Sequence, residues 1–159
     1  MRFVVIGLVF AFFTGLVATT RYQSAQLAPP TLALQASQAG QTFVSYSNAV
    51  AAFQRSNPTF VGSVSPSQLS AQGTPFNGTF LASAGNAITA FGSAGRTITT
   101  FAALPASSIN TIVSTTGGDA SYGVSSGATW TSIAPSAAAQ PLATAVPSGN
   151  VVSVIQIGQ

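Results

Sequence analysis

The sequence contains no cysteine, histidine, lysine or glutamate. Tyrosines aside, its ionisable side chains are Arg2, Arg21, Arg55, Arg96 and Asp119, so charged residues make up 3% of the chain, against about a quarter in an ordinary soluble domain. Each absence excludes chemistry. Without cysteine there is no disulfide framework, and the compartment cannot be read from redox chemistry. Without His, Cys, Glu and Lys, most general bases, covalent nucleophiles and soft metal ligands are missing. The lone carboxylate, Asp119, cannot form the pair that glycoside hydrolysis requires, nor a calcium cage. Its Gly117-Gly118-Asp119 setting reads as a turn or cap. The sequence therefore predicts no enzymatic activity, no cofactor and no metal.

The pI of about 10.3 comes from four scattered arginines opposed by one acid. A phosphate-binding surface needs clustered cations that release counterions together, and none cluster here, so no nucleic-acid partner is expected. Solubility has to come from Ser, Thr, Gln, Asn and backbone, as in exported proteins that sit against neighbours in an assembly.

What is present starts with RFVVIGLVFAFFTGLVATTR, in which Arg2 and Arg21 bracket Phe3 to Thr20. Those 18 residues would span about 27 Å as a helix, close to the hydrocarbon thickness of a bilayer. Residues 1–21 are read as a transmembrane anchor or signal segment. Cleavage is disfavoured because Ala18 and Thr20 make a poor small-residue site, and a retained anchor follows. A prepilin leader cut near Gly7 is the third reading, but the glutamate characteristic of that class is absent. The positive-inside rule places the N-terminus in the cytoplasm and the remainder across the membrane.

Residues 22–30 form a linker ending in Pro29-Pro30, which forbids a continuous helix. In residues 31–57, Leu32, Ala36, Ala39, Phe43, Tyr46, Val50 and Phe53 recur at spacings of four and three, the stripe of an amphipathic helix. Gln35, Gln38, Gln41, Ser45, Asn48 and Gln54 are assigned to the opposite side. Thr31 starts the helix, Arg55 lies in its last turn and Asn57-Pro58 stops it. The stripe is the candidate interaction surface: it covers the protein's own sheet or meets a partner helix, including self-association.

Residues 58–159 read as a small β-rich head. A short turn or helix starts at Ser65-Pro66. Strands are predicted at GTFLAS, AITAFG, RTITTFAA, SYGVSSGATWTSI and NVVSVIQIG, with Gly92 to Gly95 a hairpin loop and Asn77-Gly78 a turn. PASSINTIVSTTGG holds one short helix, and SAAAQPLATAVPSGN is a loop. Tyr122 and Trp130 are assigned to the core. The fold class is α+β, with an N-terminal transmembrane helix and a long amphipathic helix packed on a small antiparallel sheet, a pilin-like architecture.

The run from Tyr46 to Leu69, YSNAVAAFQRSNPTFVGSVSPSQL, carries a resemblance. With Tyr46, Asn48, Ala49, Val50, Asn57, Pro58 and Gly62, behind one apolar segment and before a Ser/Thr/Gly-rich domain, the chain resembles the short PilM-type proteins of type IVB pilus operons. These include the thin pili of conjugative plasmids, and they differ from the actin-like protein of the same name. The resemblance implies a component of pilus biogenesis or a related secretion machine, anchored in the bacterial inner membrane with its C-terminal domain in the periplasm. It would act by contact with pilins or basal-body proteins. A minor pilin, located in the pilus, and a self-assembling secreted or virion coat protein are the alternatives, and a periplasmic module for a small polar ligand is a further one.

Overall fold

The computed structural model describes residues 31–71, 73 and 75–158. The expected anchor and linker, residues 1–30, lie outside them. Gln35–Gln159 form one compact unit, and the packing below is that of this unit. Among the described residues, no helix is long and apolar enough to cross a membrane.

The long helix forms as its periodicity predicts: α1 spans Thr31–Ser56. Its end is written in side chains. Asn57 Nδ2 donates to the Phe53 carbonyl at 2.9 Å, which the Asn57 backbone N–H also reaches at 2.9 Å, and Arg55 Nε donates to the Ala51 carbonyl at 3.3 Å, so side chains add second bonds to carbonyls of the last turns before Pro58 halts propagation. Helix α2, Pro66–Ala71, opens with a reciprocal box. The Ser65 N–H donates to Gln68 Oε1 at 2.8 Å and the Gln68 N–H returns to Ser65 Oγ at 3.3 Å, with proline at the first position.

The segment GTFLAS, expected as a strand, is instead helix α3, Gly78–Ser83. Asn77 is its N-cap and not a hairpin turn: Oδ1 accepts from the Phe80 N–H at 2.7 Å. That cap nucleates a turn which the Thr-Phe-Leu composition does not announce. Strand β1, Ala84–Phe91, then pairs antiparallel with β2, Gly95–Ala102, through the expected hairpin. Helix α4, Ser108–Thr116, ends at Gly117 with φ of 68°, and the Gly118 N–H caps the Val113 carbonyl at 3.0 Å, a left-handed stop that glycine allows. Strands β3 (Tyr122–Ser125) and β4 (Thr129–Ser132) form a second hairpin. The predicted loop 136–150 holds a two-residue strand β5, Gln140–Pro141, and β6 spans Val151–Ile157.

The six strands lie in the order β1-β2-β6-β3-β4-β5, every pair antiparallel. Strand β6 therefore sits centrally, which is how Val151, Val152, Val154, Ile155 and Ile157 find partners. The outer edge of β1 is blunted by Gly62, which exchanges two hydrogen bonds with Ile88, at 2.9 and 2.8 Å. A proline in β5 removes a donor from the other edge.

Alternation gives the sheet two apolar faces. On one, Ile88, Ile98, Ala102 and Val151 pack with Phe43, Val50 and Phe53 of α1, Leu69 of α2, Phe80 of α3 and Ile112 of α4 in the main core. On the other, Val152 joins Trp130 and Val146, with Phe101, Leu142 and Val154 alongside. Tyr122 and Trp130 are both buried, as the sequence predicts.

Candidate interaction surface

The stripe assigned from spacing is mostly internal. Ala36, Phe43, Tyr46, Val50 and Phe53 are buried, Ala39 is half-buried, and Leu32 is 75% exposed. Four of them, Phe43, Tyr46, Val50 and Phe53, belong to the main core. Gln54, assigned to the solvent side, is also buried: its amide donates to the Pro58 carbonyl at 3.0 Å, drawing the side chain under the chain that leaves the helix.

Beneath α1 runs a polar row that crosses four strands. Asn86 is registered with Thr100, Thr100 with Ser153, and Ser153 with Tyr122. Asn86 Nδ2 donates to the Tyr46 hydroxyl at 2.7 Å and Thr100 Oγ1 to Ser47 Oγ at 3.2 Å. Phe43 meets Tyr122 edge-on, with ring centroids 6.2 Å apart. Burial pushes the Tyr46 hydroxyl above its ordinary pKa, and the Asn86 hydrogen bond pulls it partly back. Burial likewise raises Tyr122, with the Ser47 hydroxyl opposing and the Asp119 carboxylate adding to the rise. No group here sits near neutrality, and a row of neutral hydroxyls without a base has no route to an activated nucleophile. Its work is to fix where α1 lies on the sheet.

Asp119 is likewise structural: its Oδ1 accepts from the Ser121 N–H at 2.9 Å, a local turn at the protein surface, as its glycine-rich setting predicts.

The groove that remains open lies on the other side of α1. A cleft of about 560 Å³ is walled by Gln35, Gln38 and Thr42 of α1, by Asn77, Phe80 and Ser83 at α3, and by Leu104. A second, of about 340 Å³, shares Gln38 and Thr42 and continues past Gln41 and Ser45 to Phe76. From Gln35 to Ser45 the wall runs about 15 Å along the helix axis. Its polar groups are amides and hydroxyls and carry no charge. Such a surface offers paired donors and acceptors to uncharged groups and discriminates against ions, which would lose hydration without compensation. The helix period placed Gln35, Gln38 and Gln41 together on the polar side, but the opposing wall at Asn77 was hidden by the missed helix.

No curated protein matches the chain. Its fold is similar to that of the crystal structure of a PilM protein from Escherichia coli B7A, with a TM-score of 0.56 and 13% sequence identity, over 77% of this chain and 92% of that one. At that identity the likeness concerns the fold: a long helix on an antiparallel sheet. The family model PilM matches residues 9–154. The chain therefore belongs to the PilM family.

Proposed function

We propose that this protein is a non-enzymatic component of pilus biogenesis that works by protein contact. It is held in the inner membrane by residues 3–20, with the head in the periplasm. The observation that carries the reading is the family match over residues 9–154. An ionisable set without His, Cys, Lys or Glu supports the non-enzymatic part. The partners are pilins or basal-body proteins, and the contact face is the uncharged wall of α1, from Gln35 to Ser45. The apolar stripe is not that face, because its residues from Phe43 onward are committed to the core.

The experiment is a deletion strain scored for assembled pili, together with the intact mass of the native protein in fractionated cells. Absent pili and a full-length chain in the inner membrane are the expected results. Normal pili would overturn the assembly role. A chain shortened near Gly7 in sheared filaments would make the protein a pilin, and one starting near residues 19–26 in a soluble fraction would remove the anchor.

A further inference from the structure

We infer that Asn77 is the chain's site of spontaneous deamidation, and that the cap of α3 governs its rate. In this reaction the backbone nitrogen of the following residue attacks the asparagine side-chain carbonyl. A bond forms between Gly78 N and Asn77 Cγ, the Cγ–Nδ2 bond breaks, and the amide leaves as ammonia with the proton of the Gly78 N–H. Water then opens the cyclic imide to aspartate or isoaspartate. Water is the only co-reactant.

The chain has six asparagines, Asn48, Asn57, Asn77, Asn86, Asn110 and Asn150, and five are disqualified. Asn57 precedes Pro58, which has no N–H to lose. Asn86 is buried and its carboxamide is held by four hydrogen bonds. Asn48 and Asn110 lie inside α1 and α4, where the backbone is fixed. Asn150 is followed by Val151, whose branched Cβ obstructs approach. Asn77 alone is exposed and followed by glycine, and a Cβ built at Gly78 would meet nothing within 4 Å.

The folded geometry nevertheless holds this site shut. Asn77 sits at ψ of 150° with its Oδ1 on the Phe80 N–H, and the Leu81 N–H bonds its carbonyl at 3.1 Å. Ring closure requires the carboxamide to release Phe80 and the Asn77–Gly78 peptide to rotate, so the first turn of α3 must open. A helix of six residues opens at low cost compared with global unfolding.

The product alters a surface. Aspartate retains the capping oxygen and is favoured by the helix dipole, but it places a charge on the uncharged groove wall. Isoaspartate lengthens the main chain and loses the cap. If the groove is the contact face proposed above, ageing impairs it; the deamidation itself does not depend on that reading.

The test ages the full-length protein at warm, mildly alkaline pH, folded and in denaturant. Sites are then located by peptide mass mapping and by labelling with an isoaspartate-specific methyltransferase. Asn77 is expected to be modified first, at least about tenfold more slowly in the folded protein because reaction waits on local opening. Gly78→Ala, which the open space at Gly78 accommodates, should suppress the modification in both conditions. Equal rates folded and denatured would remove the role of the cap. Earlier modification at another asparagine, no modification in denaturant, or undiminished ageing of Gly78→Ala would overturn the assignment.

Discussion

Asn86 Nδ2 lies 2.7 Å from the Tyr46 hydroxyl, and the same carboxamide spans the edge of the sheet. Nδ2 also donates to the Val64 carbonyl at 2.9 Å, while Oδ1 accepts from the Val64 N–H at 2.7 Å and from Ser63 Oγ at 3.4 Å. Both hydrogens and both lone pairs are therefore used. One side chain joins α1, the chain after it and β1, acting as an extra rung where the backbone ladder beyond Gly62 and Ile88 stops. Asn86→Ala leaves the Tyr46 hydroxyl and both Val64 backbone groups without their partner. Denaturant unfolding should show a loss of about 2–4 kcal/mol. Tyr46→Phe should cost about 1 kcal/mol, since it vacates one bond and keeps the ring. Equal stability of Asn86→Ala and wild type would show that the clasp contributes nothing.

Gly40 marks where α1 and α4 touch. A Cβ there would stand 2.8 Å from the Ser108 carbonyl oxygen and 3.0 Å from Thr111 Cβ, one of them rigid backbone. Two effects compete in Gly40→Ala: a helix-propensity gain of about 1 kcal/mol and an overpacking cost of about 1–3 kcal/mol. The nearer contact, the Ser108 carbonyl, is main chain and cannot rotate aside, so the cost should win. Thermal unfolding should show a lower midpoint, and a raised midpoint would mean that α4 simply moves away.

Ser108 presents the reverse case. It is fully buried at the start of α4 and its hydroxyl has no hydrogen-bond partner among the described residues. Ser108→Ala removes an uncompensated buried hydroxyl and improves helix propensity. Chemical denaturation should show a gain of about 1 kcal/mol. A loss of stability would indicate that the hydroxyl is paired after all.

How much of this was legible in the chain depends on which signal each element carries. Helix α1 declared itself through the regular return of Phe43, Tyr46, Val50 and Phe53, because a buried stripe must recur with the helical period. Strand β6 was legible because five aliphatics in nine residues have to be covered. Helix α3 was not: six residues are too few for a period, and its cause is a cap at Asn77. The polar row also escaped, since buried Ser47, Thr100 and Ser153 look in sequence like surface residues. Val146 lies in a stretch whose prolines and glycine mark it as loop, and only the folded chain shows it against Trp130. Spacing likewise leaves open which of the two covers the stripe from Leu32 to Phe53 takes, as one apolar stripe cannot declare whether its cover is internal or foreign, and the fold shows Phe43, Tyr46, Val50 and Phe53 covered by the protein's own core.

Alkaline stability should report the two buried tyrosines. Tyr46 and Tyr122 are both shifted upward from 10.0, chiefly by burial. Their phenolate forms are thus disfavoured in the fold. The contribution is fully present below the unfolded value and is lost as pH rises through it toward the folded values. Stability should therefore fall from about pH 10 upward. Tyrosinate absorbance should show these two tyrosines titrating late or abruptly with unfolding. A smooth titration of all tyrosines at the ordinary value, with the fold intact, would contradict their burial.

The proposed contact face can be separated from stability by where the charges are placed. Gln38 and Ser45 are exposed on α1, belong to neither core cluster and line the groove. Converting both to arginine should leave the unfolding free energy within about 0.5 kcal/mol, the usual range for surface changes. If an uncharged partner sits there, two unpaired cations in the contact would each require desolvation and should abolish pilus assembly in a complementation assay. The same two substitutions at Ser114 and Thr131, exposed elsewhere on the head, serve as the control. Full complementation by the Gln38 and Ser45 variant, with normal levels of folded protein, would move the contact to another face.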